Sequence, residues 1–426
     1  MSARELHAPQ SSTRLIACVI AAELCSMAGF STFAATLTDF SALWGLDSAA
    51  AGWISGAYNV GYVLAVPVLV GLTDRIDARR IYMAASIIGL GAGAGFALFA
   101  SGFWSALLFR AMAGIALAGT YMPGLQLLNE RLPARLRLRV VPYYTATFGI
   151  GVSLSFLLSG SLVAAFGWRI AFAAGAFGSV LAIGLVGFGT AGMGSMGVAP
   201  PASAPPAPTR HPLDLRPPFR NRDALVYIAG YFGHCWELFA FRAWLAAFLV
   251  YLIGRNLGGS ATSVANHWAT WIVLIGVPAS IVGAEVASRG ARLRLVRVVA
   301  LASVVAGVAC GLASAQPFAF ALVLLFAYNF LIAADSGALT TGAVAESREG
   351  ERGATLAVHT ILGFIGGALG PLAVGFALDR MGGITNARAW TWAFAVMAAG
   401  SMMAALASLL FAPRNHAARA ETKPRG

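Results

Sequence analysis

Charged side chains are scarce in this sequence of 426 residues. Only 11% of the residues are Asp, Glu, Lys or Arg, whereas 58% are hydrophobic. A soluble domain typically carries about 25% charged and about 45–50% apolar residues. So few charges could not solvate the surface of a soluble chain of this length. The composition therefore predicts a polytopic membrane protein.

Lysine is almost absent and cysteine is rare. Lys423 is the single lysine, so arginine supplies nearly all of the positive charge behind the formal net charge of +12. All four cysteines lie inside apolar runs: Cys18, Cys25, Cys235 and Cys310. Cysteines placed in this way indicate neither a disulfide framework nor a zinc site. We expect no bound metal and no other cofactor.

Long hydrophobic runs, by contrast, are abundant. A helix needs about 20 apolar residues to cross the hydrocarbon core of a membrane. Runs of that length predict twelve spans, which we number 1 to 12 in chain order: 15–37, 50–72, 81–101, 104–128, 142–165, 168–190, 224–252, 262–287, 295–314, 317–343, 353–378 and 389–411.

The loops between these spans alternate in basic charge. The loops on one side carry only Arg169, Arg255, Arg380 and Arg388, and every other loop arginine lies on the opposite side with both termini. Since cytoplasmic loops of membrane proteins are rich in Lys and Arg, we expect both termini in the cytoplasm. The positive net charge is thereby explained as a topology signal, and no nucleic-acid partner is expected.

A polar segment divides the twelve spans into two equal groups. Residues 191–222 are rich in Pro, Ala and Ser and lack a hydrophobic period, which is typical of a flexible or polyproline-II-like linker. We therefore expect an N-terminal six-helix bundle over residues 1–190, a cytoplasmic linker over 191–222, and a C-terminal six-helix bundle over 223–426.

This organisation resembles the major facilitator superfamily, and so does the loop between spans 2 and 3. The family usually has G-x-L-a-D-R-x-G-R-R here, and "VGLTDRIDARR" matches it at Leu72, Asp74 and Arg75, with Val70 and Asp77 in place of glycines. The resemblance implies an all-α membrane protein with twelve transmembrane helices in two pseudo-symmetric bundles. It also implies that Asp74 and Arg75 form a conformational gate on the cytoplasmic side; an ordinary basic loop is the alternative.

Other segments are similar to motifs of the same family. "RAMAGIALAG" in span 4 resembles its R-x-x-x-G pattern through Arg110 and Gly114. Antiporters of the family often carry a Gly-rich motif with a proline in span 5, but here span 5 has no proline after Pro142, and "GGALGP" lies in span 11 (366–371). The incomplete motif weakens the hypothesis of an exporter.

The ionisable residues inside the membrane are concentrated on four spans. By the resemblance, spans 1, 4, 7 and 10 line a central cavity, and they carry Glu23, Arg110, His234, Glu237, Arg242 and Asp335. A charge in the membrane is costly unless it faces protein or a water-filled pathway. At 100° per residue, the three residues of span 7 fit a sector of about 140°. We therefore expect the charged face of span 7 to look into the cavity.

Two arginines in such a cavity suit a small anion. The predicted substrate-binding residues are Arg110, Arg242, His234 and Trp236. The alternative for each arginine is a structural role in holding helices together. Because three acids are expected in the same cavity, a cationic or zwitterionic substrate also stays open.

The acids in these spans suit proton coupling. A carboxylate in a partly dehydrated site can exchange protons in the physiological range. The predicted proton-coupling residues are Glu23, Glu237 and Asp335, assisted by His234, which titrates near neutral pH without help. His359 in span 11 lies outside the four cavity spans and is interpreted as a packing residue.

The sequence thus predicts a secondary active transporter, not an enzyme, that moves a small organic anion or metabolite together with protons. No nucleotide-binding loop or zinc-protease motif contradicts this. The expected partners are a small-molecule substrate, protons and membrane lipid, and the chain is expected to be a monomer in a bacterial cytoplasmic membrane. The alternatives are a proton-linked exporter of drugs or metabolites, a passive facilitator, and a non-transporting membrane sensor.

Overall fold

The computed structural model describes residues 3–73, 75–193, 215–256 and 261–411, and all regular structure in these residues is helical. Eleven stretches in them are long and apolar enough to cross a membrane. They correspond to predicted spans 2 to 12, and the first predicted span falls on three consecutive helices. The prediction of an all-helical membrane protein is confirmed.

Span 1 is built from three helices and the next five spans from one helix each. The helices of this N-terminal half are α1 (Ala3–Ser26), α2 (Thr32–Ala35), α3 (Leu37–Trp44), α4 (Ser48–Leu72), α5 (Ala78–Phe99), α6 (Phe103–Arg131), α7 (Ala134–Phe166) and α8 (Trp168–Gly189). Spans 2 to 6 are α4 to α8 in order.

Two spans of the C-terminal half are also interrupted. Its helices are α9 (Arg222–Asn256), α10 (Ala261–Leu274), α11 (Gly276–Val286), α12 (Arg292–Leu312), α13 (Phe318–Ala334), α14 (Ser336–Ala345), α15 (Arg352–Arg380) and α16 (Ala387–Leu410). Span 7 is α9, span 8 is α10 with α11, span 9 is α12, span 10 is α13 with α14, and spans 11 and 12 are α15 and α16. A short 3-10 helix, Pro217–Arg220, precedes span 7, and residues 194–214 of the predicted linker lie outside the described residues.

The two halves meet along spans 2 and 11 and along spans 5 and 8. Small residues allow the first of these contacts, because a Cβ atom at Gly56 would lie 2.4 Å from the carbonyl oxygen of Ala368. Close helix–helix approach through small residues is a common packing solution inside membranes. Near the middle of the same contact, the rings of Tyr62 and Phe364 stack with centroids 4.0 Å apart.

Polar contacts also join the halves, at the end that the basic loops predict to lie outside the cell. Asp379 at the end of span 11 accepts hydrogen bonds from the backbone N–H groups of Ser48 (2.9 Å) and Ala49 (2.8 Å) at the start of span 2. Asn266 of span 8 donates to the carbonyl oxygen of Ala35 at 2.9 Å. The halves are therefore joined at their outer end.

Candidate functional site

A cavity lies between the two halves, below these outer contacts. Aromatic side chains and a few polar groups line it, as is usual for small-molecule sites. We call it the central cavity, and its lining residues are Phe30, Ser31, Ala34, Ser55, Tyr58, Asn59, Arg110, Phe156, Phe239, Arg242, Ala243 and Pro371. These residues come from spans 1, 2, 4, 5, 7 and 11, so both halves contribute.

Arg110 of span 4 enters the central cavity from the N-terminal half. Its side chain is buried, with its guanidinium 4.6 Å from the centroid of the Tyr58 ring. Nη1 donates to the carbonyl oxygen of Phe30 at 3.3 Å, whereas Nε is buried and no described residue accepts a hydrogen bond from it. The Phe30 carbonyl and the Tyr58 ring thus hold the arginine in place and leave donor capacity free.

Arg242 of span 7 reaches the same cavity from the C-terminal half. Its guanidinium lies 5.8 Å from the centroid of the Phe148 ring, and its Nε and Nη1 atoms are buried without a hydrogen-bond partner in the described part of the chain. The described residues that line the cavity include no Asp or Glu. A buried guanidinium with neither counter-ion nor full hydrogen bonding is costly, and an anionic ligand would satisfy both needs.

A second cavity lies within the N-terminal half and shares Arg110 with the first. Gly89 and Gly93 of span 3 form one wall of this cavity. Phe96 and Phe172 form another wall, and their rings stack with centroids 3.7 Å apart. The small side chains of span 3 therefore leave room beside Arg110.

His234 and Asp335 form a buried pair between spans 7 and 10. His234 Nδ1 lies 2.7 Å from Asp335 Oδ1, and both side chains are almost fully buried. Asp335 occupies the break between α13 and α14. The Tyr231 ring stacks between the rings of His234 and His359, with centroid distances of 5.6 Å and 3.9 Å. The pair does not line the central cavity but joins two spans of the C-terminal half.

The Glu237 carboxylate is enclosed by hydroxyl groups of the C-terminal half. Tyr328 donates to its Oε1 at 2.7 Å and Ser303 to the same atom at 3.2 Å, while Ser401 donates to Oε2. These donors belong to spans 10, 9 and 12. The expectation that the whole charged face of span 7 looks into one cavity is therefore wrong. A sector of 140° exceeds a third of the helix circumference, so its two edges, Glu237 and Arg242, face different neighbours.

Glu23 is enclosed in the same way in the N-terminal half. The hydroxyl groups of Tyr82 in span 3 and Tyr144 in span 5 donate to its Oε2 at 3.4 Å and 3.3 Å. Its Oε1 is buried without a partner. Glu23 thus lies on a predicted cavity span, but its carboxylate points into its own bundle and does not line the central cavity.

The remaining predicted residues lie elsewhere. The Trp236 indole N–H donates to the carbonyl oxygen of Val396 in span 12 at 2.9 Å, away from the central cavity. Asp74 lies outside the described residues, and Arg75 is exposed in the loop between spans 2 and 3. Among the described residues of that loop, Asp77 forms an ion pair: its Oδ2 lies 2.7 Å from Nη2 of Arg131 at the end of span 4.

Two polar residues that the sequence analysis did not consider lie at the contact between the halves. Asn59 of span 2 is buried, lines the central cavity, and donates from Nδ2 to the carbonyl oxygen of Gly367 in span 11 at 2.8 Å. Asp379 caps span 2 from the other half. Asn59 could have been found from the sequence, because it is an asparagine within an apolar run. Asp379 could not have been found in this way, because it lies at the end of a span, where polar residues are ordinary.

Comparison with known proteins defines the class. The model of the Major Facilitator Superfamily matches residues 19–371. The match covers most of the chain, so the protein belongs to the major facilitator superfamily. It is a secondary transporter and not an enzyme.

Curated relatives match over shorter segments. The chain is 31% identical over 132 residues to the niacin transporter NiaP of Acinetobacter baylyi, covering 31% of this chain and 30% of the relative. It is 28% identical over 148 residues to the 4-hydroxybenzoate transporter PcaK of the same organism, covering 34% and 32%. The match thus spans about a third of the length of these relatives.

Solved structures match over nearly the whole chain. A bacterial homologue of the human lysosomal transporter Spinster, inward-facing and unoccupied, superposes with a TM-score of 0.75 at 16% identity, covering 94% of this chain and 96% of that one. A D-xylose-proton symporter superposes with a TM-score of 0.70 at 15% identity, covering 94% and 96%. At this identity the likeness concerns the fold, and it confirms the predicted fold of the superfamily.

Proposed function

We propose that this transporter takes up a small organic anion by alternating access and binds it in the central cavity between Arg110 and Arg242. The observation that carries the proposal is the meeting of two arginines, one from each half, in a cavity whose described lining has no acid. Two positive charges repel a cation, whereas an anion bound between them draws the two halves together. Alternating access requires that ligand binding change the relative stability of the arrangements of the two halves.

A small aromatic carboxylate fits this cavity best. Three phenylalanines and a tyrosine line it: Phe30, Phe156, Phe239 and Tyr58. Flat apolar walls with a few converging polar groups are typical of sites for such ligands, and a carboxylate matches the fork of a guanidinium. The names of two relatives, a niacin transporter and a 4-hydroxybenzoate transporter, denote compounds of this class.

We place proton coupling at the His234–Asp335 pair. Of the three proposed carboxylates, Asp335 alone pairs with a histidine, and it lies at a break in span 10. Protonation of Asp335 would remove its charge and weaken the contact between spans 7 and 10. His234 lies eight residues before Arg242, or about 12 Å along the same helix, so a shift of span 7 would reach the substrate site. Glu23 and Glu237, each held by hydroxyl groups, are assigned to the interior of their bundles.

The proposed setting is the bacterial cytoplasmic membrane, with both termini on the cytoplasmic side and a single chain as the working unit. The basic loops support this orientation, and the named curated relatives are bacterial. The contacts between the outer ends of the halves support a chain that is closed towards the outside.

Uptake into proteoliposomes tests this proposal. We expect the purified protein to exchange radiolabelled benzoate or 4-hydroxybenzoate across the membrane without a gradient, and to accumulate it when the outside is acidic. Arg242→Ala should abolish exchange, and Asp335→Asn should abolish accumulation while exchange persists. Exchange that survives in both Arg110→Ala and Arg242→Ala would refute the anion site. Accumulation by Asp335→Asn equal to that of the unaltered protein would refute the proton site.

A further inference from the structure

The orientation of the Asn59 amide follows from its contact across the two halves. Its partner, the carbonyl oxygen of Gly367, can only accept a hydrogen bond, so the atom 2.8 Å away must be the amide nitrogen. The amide oxygen Oδ1 is then on the other side of the group. The side chain is only 2% exposed, which leaves little freedom for another arrangement.

Oδ1 of Asn59 has no hydrogen-bond partner among the residues that the structure describes, although it is buried. Buried acceptors are nearly always paired, and an unpaired one costs free energy. Asn59 lines the central cavity together with Arg110 and Arg242, so a partner for Oδ1 has to come from whatever fills that cavity.

The cavity therefore offers two complementary kinds of polar atom. The Nε atoms of Arg110 and Arg242 and Nη1 of Arg242 are free donors, whereas Oδ1 of Asn59 is a free acceptor. A plain carboxylate would satisfy the donors and leave the acceptor unpaired. A ligand that carries both a carboxylate and a separate O–H or N–H group would satisfy all of them.

We propose that the central cavity selects organic anions that also carry a hydrogen-bond donor, and that Asn59 is the residue that recognises the donor. This rests on the proposed function, since it concerns the anion bound by the two arginines. Sites built to hydrogen-bond a ligand hydroxyl discriminate strongly against the analogue that lacks it, because their own polar atom is then left unpaired. Hydroxybenzoates should therefore bind better than benzoate. Nicotinate should gain nothing, because its ring nitrogen is an acceptor at neutral pH.

Calorimetric titration of the purified full-length protein tests this inference. The probes are benzoate, nicotinate and the three monohydroxybenzoates. We expect at least one hydroxybenzoate to bind about tenfold more tightly than benzoate. In Asn59→Leu the ratio of the hydroxybenzoate affinity to the benzoate affinity should fall to about one, whatever the affinity for benzoate itself becomes, because the acceptor for the hydroxyl group is gone.

Asn266→Leu is a matched control. Asn266 is also buried, donates to a backbone carbonyl of the other half and has an unpaired Oδ1, but it does not line the central cavity. The Asn266→Leu variant should therefore keep the preference for the hydroxybenzoate over benzoate. If Asn59→Leu does not fold, Asn59→Ala tests the role of Asn59, and the comparison of ligands on the unaltered protein tests the preference for a hydrogen-bond donor.

The outcomes separate this inference from the proposed function. Equal affinity of the unaltered protein for benzoate and all hydroxybenzoates would overturn the inference, because a water molecule would then serve as the partner of Oδ1 equally well. The proposed anion site would still stand if Arg242→Ala abolished that binding. A preference that persists in Asn59→Leu would overturn the role of Asn59. Failure of every probe to bind would overturn both.

Discussion

The contact of Asp379 with span 2 predicts a measurable bias towards the outward-closed state. Its two carboxylate oxygens accept from the N–H groups of Ser48 and Ala49, the first backbone donors of span 2, which belongs to the other half. These contacts exist only while the outer ends are together. Asp379→Ala should therefore favour the outward-open state.

The size of this effect follows from helix capping. Replacing an Asp that caps a helix N-terminus by Ala costs typically about 1 kcal/mol, and the attraction of its charge for the helix dipole is included in that figure. Asp379 is exposed to solvent, which argues against a larger value. A change of about 1 kcal/mol raises the ratio of outward-open to outward-closed protein about fivefold.

Labelling of a cysteine in the central cavity measures this ratio. Ser55→Cys places a thiol in the cavity lining, in a background without the four native cysteines. A membrane-impermeant maleimide added outside modifies it at a rate proportional to the outward-open fraction, so Asp379→Ala should raise the rate about fivefold.

Asp47→Ala is the control for that measurement. Asp47 accepts from the N–H of Ala50 at 2.7 Å, so it caps the same helix from within its own half. Its loss should weaken span 2 equally in both states and leave the labelling rate unchanged. Equal rates in the two variants, whether raised or not, would refute a specific role of the contact between the halves.

Four further substitutions test the packing. Gly56→Val should raise the outside labelling rate above that of Asp379→Ala, because a Cβ there meets the Ala368 oxygen at 2.4 Å; an unchanged rate would contradict this. Glu237→Gln places an amide donor against hydroxyl donors and should lower the free energy of unfolding, measured by denaturant titration, by about 1–3 kcal/mol. Proton-driven accumulation should stay intact. Loss of accumulation would instead assign proton coupling to Glu237. Asp77→Ala leaves Arg131 buried and unpaired, which should lower the free energy of unfolding by about 3–5 kcal/mol. Adding Arg131→Met to that variant should restore much of the lost stability.

The predicted spans follow the helices in chain order but match them neither one to one nor in length, because spans 1, 8 and 10 are each built from more than one helix. Span 5 was predicted over 142–165, whereas its helix runs over Ala134–Phe166 and includes Arg135, Arg137 and Arg139. Hydropathy marks where a helix leaves the lipid, and the backbone hydrogen bonds continue beyond that point. The break at Asp335 was not predicted either, because apolar side chains continue on both sides of it.

The positions of the ionisable residues were predicted in part. The sequence placed ionisable residues on spans 1, 4, 7 and 10, and the structure places Arg110 and Arg242 in one cavity, as proposed from the sequence. It could not show that Glu23 and Glu237 turn into their own bundles, since helical spacing gives the angle between two residues of one helix but not the neighbour that each one faces.

The sequence by itself determined the class of protein and the order of its long apolar helices, because the membrane requires such helices and allows few charges. Only the tertiary structure decided which polar groups meet: the arginines of spans 4 and 7, the His234–Asp335 pair, and the Asn59 amide with span 11 of the other half. These meetings join residues far apart in the chain. They depend on how each helix is rotated and which helix lies beside it, and packing sets both.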